Sequence, residues 1–270
     1  MQIRFIIVVL AVSLFGLASC DNSGSKIGKL DKLQQASDET QLLNNGTYTE
    51  QVELKLDGKH FTSISTEGAF LVQGDQVDWQ IKRVQQQAGE EAFVSETVQI
   101  DNHQYQRMIQ RNEQQAHSEW QQLKEETSDY PNDLEVLLEI DLEKEDIESI
   151  AVESRDNNTV YTISYSEHYF SKIKERNINM IESLIKEAQE KGHDNNDTLE
   201  RSLALNKSIN YLKLKRSYTL NEEGILINSE SVRKVEQTVE NTKQIQETTT
   251  QVSIVDYNLT DLKIKKEGLE

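Results

Sequence analysis

Apolar and polar residues alternate along several long stretches of this 270-residue chain, and this alternation limits its fold more than any other feature. In residues 48–56, YTEQVELKL, the apolar side chains fall on one parity and most polar ones on the other. A half-buried β-strand has this two-residue period. The pair Asp57-Gly58 follows directly and is the strongest hairpin-turn signal in the sequence. We therefore predict a chain built from antiparallel strands.

The same two-residue pattern recurs along most of the chain. Further strands are predicted at residues 61–72, 77–81, 94–100, 104–109, 147–152, 160–165, 212–220 and 225–239. In a final strand, Val252 and Ile254 share one parity whereas Val255 and Tyr257 share the other, which predicts a β-bulge near Val255. The one proline of the chain, Pro131, interrupts none of these segments.

Four segments carry apolar residues at helical spacing instead. Residues 29–44 predict a weakly amphipathic helix, residues 112–130 suit a helix or a loop and are assigned to a helix, and residues 134–142 predict a third helix capped by Asp133. The clearest amphipathic helix runs from residue 168 to 191 and ends at Gly192. Its size predicts that it lies across the apolar face of the sheet. The predicted fold is α+β, a curved antiparallel sheet wrapped around a few helices.

The N-terminus has the pattern of an export signal. One positive charge in residues 1–4 precedes an uncharged apolar run, residues 5–17, which is too short to span a membrane as a stable helix. The run closes on Leu17-Ala18-Ser19-Cys20, which resembles the lipobox of bacterial lipoproteins. The resemblance implies cleavage after Ser19 and a thioether-linked diacylglycerol on Cys20.

Cys20 is the only cysteine of the chain, so no disulfide within the chain competes for its thiol. An ordinary secretory signal without lipidation is the alternative interpretation. Two acyl chains hold a protein stably on a membrane, whereas one chain gives marginal binding. We therefore expect a signal peptide at residues 1–19, a lipidated flexible tether at 20–28 and a single domain at 29–270, on the extracytoplasmic face of the cell membrane.

The chain is strongly acidic, with 47 Asp and Glu residues against 29 Lys and Arg residues and a formal net charge of −18. Such a charge repels the phosphates of nucleic acids and the anionic headgroups of lipids. Nucleic acid is therefore not an expected partner. The acidic surface favours cationic partners, or it simply keeps an exported domain in solution.

The sequence lacks the usual signatures of an active site. Its five histidines have no partner at i+3 or i+4, so they predict no zinc site. Residues 192–200, GHDNNDTLE, have the composition of a calcium loop without its spacing, and the acidic run at residues 135–148 is typical of a solvated helix face. There is no nucleophile elbow, P-loop or dinucleotide-binding glycine motif. We predict neither a cofactor nor an enzymatic activity.

The order of these segments carries a resemblance. The order is a short helix, a meander with the hairpin VQIDNHQYQRMI, a following Trp120, central helices, and the closing segments SYTLNEEGILINSE and YNLTDLKI. In this order the chain resembles a group of uncharacterised Gram-positive lipoproteins. Their fold is similar to the half-barrel of the carriers LolA and LolB and of mycobacterial LppX. The resemblance implies a half-barrel that holds a hydrophobic ligand, and among site residues it extends only to Cys20.

A ligand cavity is the feature that separates two expected functions. Six aromatic residues are candidates either to line an apolar cavity between sheet and helices or to fill the core: Phe70, Trp79, Phe93, Tyr105, Trp120 and Tyr165. With a cavity, we expect a binding module for a hydrophobic ligand or for a segment of an envelope protein. Without one, we expect a structural or regulatory lipoprotein that binds a protein partner through its acidic convex face.

Overall fold

A computed structural model describes residues 24–110, 119–123, 131–138, 140–190, 197–239 and 242–264. Within these residues the chain forms helices α1 to α4 and strands β1 to β11. The helices are Lys26–Gln41, Asn132–Leu138, Glu167–Glu190 and Asp197–Ser208. The strands are Asn45–Leu56, Lys59–Gln73, Gln76–Gln87, Phe93–Ile100, His103–Gln110, Gln121–Gln122, Ile147–Arg155, Asn158–Tyr165, Asn210–Leu220, Leu226–Val239 and Thr242–Tyr257.

These strands form one antiparallel sheet in the order β6-β5-β4-β3-β2-β1-β11-β10-β9-β8-β7. The first and last long strands, β1 and β11, pair at its centre. Strands β6 and β7 are its two edges, so the sheet is open. The predicted α+β class, with a single antiparallel sheet, is confirmed.

In three of the hairpins with two-residue loops, both loop residues are left-handed. Both residues of Asp57-Gly58, of Asp101-Asn102 and of Asp156-Asn157 have a positive φ, between 47° and 77°. Hairpin loops of this length need positive φ to follow the twist of the flanking strands, and Asp, Asn and Gly are the residues that tolerate it best. The local sequence therefore fixes the register of β1 with β2, of β4 with β5 and of β7 with β8.

The bulge predicted near Val255 is present. Tyr48 pairs with Ile254 and Thr47 pairs with Asp256, which leaves Val255 without a partner across the strand. A bulge increases the local twist of a sheet. This one lies between β1 and β11, in the middle of the sheet.

Helices α1 and α2 cover one face of the sheet. The Ser25 hydroxyl caps α1 by accepting a hydrogen bond from the Gly28 N–H at 3.1 Å. The fully buried Leu33 of α1 packs in an apolar cluster with residues of β7, β8, β9 and β10. Leu134 and Leu137 of α2 are equally buried, in a second cluster with residues of β1, β2, β3 and β11. The two helices thus fill the core on the same side of the sheet.

The sheet curves around these helices. Asp133 of α2 binds Arg83 of β3, and it also lines a small chamber, about 150 Å³ in volume, together with Arg216 of β9. Five strand spacings separate β3 from β9, which amounts to about 24 Å in a flat sheet at about 4.8 Å each. Asp133 binds Arg83 of β3 and shares the chamber with Arg216 of β9 because the sheet curls around α2 and brings these strands towards the same helix.

The long helix α3 does not lie across the sheet, so this prediction was wrong. It packs against α4 and against the 3-10 turn at residues 144–146, while α1 and α2 cover the apolar face. The reason is topological, because α3 and α4 connect the neighbouring antiparallel strands β8 and β9 and therefore start and finish at one end of the sheet. Met180 and Leu184 of α3 remain 57% and 44% exposed.

Three boundaries also differ from the predictions. Helix α1 begins at Lys26, so residues 26–28 belong to the helix rather than to a tether. Of the helix predicted at 112–130, the described residues 119–123 are extended and include β6, and the remainder lies outside the described residues. Asp133 lies inside α2 and pairs with Arg83 instead of capping the helix. Cys20 and the predicted signal peptide lie outside the described residues.

Candidate functional site

The aromatic residues predicted to line a cavity do not lie together. Phe70 and Trp79 pack against α2 in the core, where they are 1% and 4% exposed. Tyr105 and Trp120 pack in a third apolar cluster that includes Ala69. Because Ala69 is the strand neighbour of Phe70, this third cluster lies on the opposite face of the sheet.

The other two aromatic residues lie at strand ends. Phe93 begins β4 and is half-buried. Tyr165 ends β8, where it is buried beneath the start of α3. Of the six, Tyr165 lines an inner cavity and Trp120 lines a groove on the outer face. Ligand binding by the six aromatic residues stays a prediction. It now concerns two separate sites, the inner cavity at Tyr165 and the outer groove at Trp120.

The inner cavity, about 400 Å³ in volume, lies between the first half of α3 and the strands β8 and β9. Its walls combine apolar and charged side chains: Glu135, Ile140, Asp141, Leu142, Tyr165, Tyr169, Lys172, Ile173, Arg176, Arg216 and Tyr218. Small-molecule sites commonly have volumes of about 300 to 1,000 Å³. The inner cavity therefore suits a ligand that has both an apolar and a charged part.

One face of α3 forms a wall of the inner cavity. Tyr169, Lys172, Ile173 and Arg176 follow the i, i+3, i+4, i+7 spacing of a single helix face. The Tyr169 ring stacks on that of Tyr165, with ring centroids 4.4 Å apart and planes inclined by 24°. This stack joins the helix to the end of β8 at the edge of the cavity.

Further contacts hold α3 in this position. The Phe170 ring stacks on that of Tyr211 of β9, with centroids 5.3 Å apart. The Lys174 ammonium donates a hydrogen bond to the carbonyl of Ile209 at 2.8 Å. These contacts join α3 to the start of β9, and the stack of Tyr169 on Tyr165 joins it to β8, so both strands hold the helix that forms this wall of the inner cavity.

The fully buried Asp146 fixes the first turns of α3 from below. Its Oδ2 accepts a hydrogen bond from the Glu143 N–H at 2.9 Å and another from the Lys172 ammonium at 3.2 Å. The hydrogen bond from Lys172 to Asp146 raises the pKa of that lysine, whose charge is thereby compensated. The acidic run at residues 135–148 is therefore not a solvated helix face, because α2 ends at Leu138 and Asp146 is a buried anchor.

Arg216 brings a cation to the inner cavity. Its Nη1 donates a hydrogen bond to the Tyr218 hydroxyl at 3.3 Å, whereas its buried Nε has no hydrogen-bond partner among the described residues. Within the described part of the chain, no carboxylate forms an ion pair with this guanidinium. A buried charge without a partner is energetically costly. The guanidinium therefore retains hydrogen-bonding capacity for an anion.

The neighbouring tyrosines do not supply that anion. Burial raises the pKa of Tyr165 far above its ordinary value, and burial also raises the pKa of Tyr169, so both rings are neutral at physiological pH. Burial acts to lower the pKa of Arg216, whereas the surrounding tyrosines Tyr218, Tyr165 and Tyr169 together raise it, and the net direction is upward. The guanidinium is consequently charged at every pH at which the protein is folded.

The small chamber of about 150 Å³ shares Arg216 with the inner cavity. Its other lining residues are mostly polar: Glu50, Asp133, Ser229, Ser231, Thr250 and Val252. Asp133 accepts two hydrogen bonds from Arg83, at 2.6 and 2.9 Å, and Glu50 accepts one from the Thr66 hydroxyl at 2.9 Å. Burial, followed by the charge of Asp133, raises the pKa of Glu50. Both acids of the chamber are thus engaged by partners other than Arg216.

An outer groove of about 620 Å³ lies on the opposite face of the sheet. The Arg107 guanidinium carbon lies 4.5 Å from the centroid of the Trp120 ring, and the Arg107 Nε donates to Glu96 at 2.7 Å. The buried Nε1 of Trp120 has no hydrogen-bond partner in the part of the chain that the structure describes. Leu262, near the C-terminus, borders the same groove. The outer groove therefore offers an aromatic surface and an unused donor.

Other parts of the molecule offer less. A shallow depression of about 520 Å³ along α3 is lined by that helix alone. Among the described residues, no three His, Cys, Asp or Glu side chains converge where they could hold a metal ion. None of the described helices combines the length and the apolar character needed to cross a membrane. Most of the GHDNNDTLE segment, residues 192–196, lies outside the described residues.

Sequence reasoning missed Arg216 as a site residue, although a signal was present. Arg216 shares its parity in β9 with Leu214, Tyr218 and Leu220, which are apolar or aromatic. A charged residue on the buried parity of a strand either has a partner or is functional. The sequence does not show that Arg176 of α3 and Arg216 of β9 share a cavity, because their proximity depends on how α3 packs.

The fold was compared with solved structures and the sequence with known proteins. The chain is similar to a DUF1329 family protein from Desulfovibrio piger, with 9% identity over 87% of this chain and 95% of that chain and a TM-score of 0.30. It is also similar to a LolA superfamily protein from Nitrosomonas europaea, with 10% identity over 87% and 94% of the two chains and a TM-score of 0.27. At such TM-scores, neither likeness carries an argument about family or function. No protein-family profile and no curated protein sequence matches the chain.

Proposed function

We propose that this protein is a membrane-anchored extracytoplasmic lipoprotein whose domain binds an amphipathic ligand in the inner cavity without catalysing a reaction. The observation that carries the proposal is the inner cavity itself. It has the volume of a small-molecule site, walls that combine apolar and charged side chains, and a guanidinium whose Nε is unpaired among the described residues. The lipobox at Cys20 supports the anchor, since a diacylated cysteine holds a protein stably on a bilayer.

The anchor is tested by a single substitution. We expect Cys20→Ala to abolish processing at the preceding residue and to prevent labelling with a radioactive fatty acid. Cys20→Ser is the matched control for size, and it is expected to fail in the same way because a thioether requires sulfur. Unchanged processing and labelling of both variants would show that Cys20 is not lipidated.

Ligand binding is tested with uncharged amphiphiles of increasing chain length. The full chain in phosphatidylcholine nanodiscs is dialysed against radiolabelled octanol, decanol or dodecanol, with empty nanodiscs as the background. Each methylene that enters the cavity contributes about 0.8 kcal/mol, so the protein-dependent affinity should rise about fourfold per methylene until the cavity is full.

Two substitutions on α3 form a matched pair for this experiment. Ile173→Trp places a large ring into the inner cavity and should abolish binding. Met180→Trp makes a similar change on a side chain that is 57% exposed and should leave binding unchanged. The absence of any protein-dependent binding, or equal binding by both variants, would refute a ligand site in this cavity.

A second candidate function is the binding of an envelope protein segment in the outer groove. It is favoured by the Trp120 surface and by its buried Nε1, which has no partner among the described residues. Trp and Arg are the side chains most often found at the centres of protein interfaces. Crosslinking in intact cells from a photoreactive residue at Val255, which borders the groove, should then capture one reproducible partner, and Trp120→Ala should abolish the capture.

A further inference from the structure

We infer that Arg216 binds the singly charged acid group of an amphiphile, so that the ligand of the inner cavity is anionic. This inference rests on the proposed function and specifies the chemistry of its ligand. The acid group is a carboxylate or a phosphodiester, which share one negative charge and paired acceptor oxygens. The apolar part of the same molecule occupies the remainder of the cavity.

Charged side chains of both signs surround the inner cavity. Its lining contains three cations, Lys172, Arg176 and Arg216, and two anions, Glu135 and Asp141. Lys172 is compensated from outside the cavity by Asp146. The two remaining cations, Arg176 and Arg216, equal the two anions in number, yet among the described residues neither Glu135 nor Asp141 forms an ion pair with Arg216, so the charge of this guanidinium is left for a ligand to balance.

The geometry of the Arg216 guanidinium suits an acid group. Nε–H and the adjacent Nη2–H form one edge of the group, and paired acceptor oxygens bind to such an edge through two parallel hydrogen bonds. The opposite side is occupied, because Nη1 donates to the Tyr218 hydroxyl. Since Nε has no hydrogen-bond partner within the described ranges, the edge that suits an acid group is the one left unused.

The two acids of the small chamber, Asp133 and Glu50, are engaged by side chains other than Arg216. Asp133, which lines the adjoining small chamber, accepts both of its short hydrogen bonds from Arg83. Glu50 accepts a hydrogen bond from Thr66, and its burial disfavours the charged form. Glu135 and Asp141 line the same cavity as Arg216, but neither forms an ion pair with it, so the described part of the chain holds no counter-ion for this guanidinium.

Apolar side chains beside Arg216 can contact the apolar part of the ligand. Ile140, Leu142 and Ile173 line the same cavity as Arg216 and are its aliphatic side chains. The stacked rings of Tyr165 and Tyr169 add a flat apolar surface. A head group bound at Arg216 therefore has an apolar path beside it.

The test compares an acid with an alcohol of equal chain length. In the nanodisc dialysis described above, the full chain is offered radiolabelled decanoate or decanol at pH 7.5. A charge-assisted pair of hydrogen bonds should make decanoate bind about tenfold to a hundredfold more tightly than decanol. This comparison uses the unaltered protein and needs no variant.

Two substitutions then locate the effect. Arg216→Gln keeps a polar side chain but removes the charge, and it should bring the affinity for decanoate down to that for decanol while decanol binding stays unchanged. Arg233→Gln removes an exposed arginine from the neighbouring strand β10 and should preserve the preference. Dihexanoyl phosphatidylglycerol, as a competitor, reports whether a phosphodiester occupies the site as well as a carboxylate does.

The outcomes separate this inference from the proposed function. If decanol and decanoate bind equally, or if Arg216→Gln retains the preference for decanoate, the inference is overturned while a binding cavity stands. If neither compound binds, the proposed function fails with it. Preference for either acid that depends on Arg216 supports the inference, and competition identifies which acid is favoured.

Discussion

A single methyl group at Gly68 tests how tightly the centre of the curved sheet is packed. Gly68 on β2 lies directly across from Tyr48 on β1, and the Tyr48 ring covers the space that a side chain at Gly68 would occupy. A Cβ at Gly68 would overlap Cε1 and Cζ of Tyr48 and lie 2.6 Å from its hydroxyl oxygen. Ordinary carbon contacts are about 3.5 to 4.0 Å. The ring must therefore move by about an ångström in a region where it is only 1% exposed.

The magnitude follows from two opposing effects. Overpacking a core costs about 1 to 3 kcal/mol. Replacing a strand glycine by alanine without a clash gains about 0.5 to 1 kcal/mol, because the unfolded chain loses freedom. We therefore expect Gly68→Ala to destabilise the protein by about 1 to 3 kcal/mol, and to be neutral or stabilising when Tyr48→Leu has removed the ring.

The assay is urea denaturation of the single variants and the double variant, followed by far-UV circular dichroism. The midpoint and slope give the change in the free energy of unfolding for each. The double-variant cycle should yield a coupling of more than about 1 kcal/mol between Gly68 and Tyr48. An equal effect of Gly68→Ala with and without the Tyr48 ring would refute the close packing of β1 on β2.

Two further predictions concern the polar interior and the docking of α1. The pKa of Glu50 in the folded protein is raised above its ordinary value of 4.5. The stability contributed by its protonated form is therefore present at low pH and is lost as pH rises through the folded pKa. Glu50→Gln should leave stability unchanged near pH 4 and increase it near pH 8, as measured by thermal unfolding at both values. The buried Thr40 hydroxyl accepts a hydrogen bond from the Leu226 N–H at 2.9 Å, so Thr40→Val should cost about 1 to 3 kcal/mol in urea denaturation, whereas Thr40→Ser should cost clearly less. Greater stability of wild type over Glu50→Gln at pH 8, or equal costs of the two Thr40 variants, would contradict these assignments.

The strands and turns were predictable because their signals are local. The two-residue alternation in residues 48–56 and the Asp57-Gly58 turn specify a hairpin without reference to the rest of the chain. The parity change at Val255 likewise marks the bulge in the strand itself. Such features depend on neighbouring residues only, so the sequence displays them directly.

The arrangement of the helices was not predictable in the same way. The strongest amphipathic pattern belongs to α3, yet the weaker α1 and α2 cover the sheet. The position of α3 follows from the fact that it joins the adjacent strands β8 and β9, and strand order is a non-local property. Periodicity indicates that a helix has an apolar face, but it does not indicate which surface that face will meet.

The candidate site depends on such non-local placement. The strand pattern marks Arg216 as a charge on the buried parity of β9, but its place in a cavity follows only from the passage of α3 close to β9 and from the pairing of Asp133 with Arg83. The six aromatic residues shared a chemical character but not a location, because neighbouring residues of a strand face opposite sides of the sheet. Residue type therefore suggested candidates, and the sheet topology placed Tyr165 at the inner cavity, Phe70 and Trp79 in the core, Tyr105 and Trp120 on the outer face and Phe93 at the start of β4.

The central claim, that the inner cavity holds an amphipathic molecule, is tested most directly by analysing what the protein carries when it leaves the cell. The full chain is purified from its own membranes, extracted with organic solvent, and the non-covalently bound compounds are quantified by mass spectrometry against protein. We expect one class of acidic amphiphile in nearly equimolar amount with the wild type and with Met180→Trp, and little or none with Ile173→Trp. The same compounds in the same amounts from all three proteins would contradict the claim.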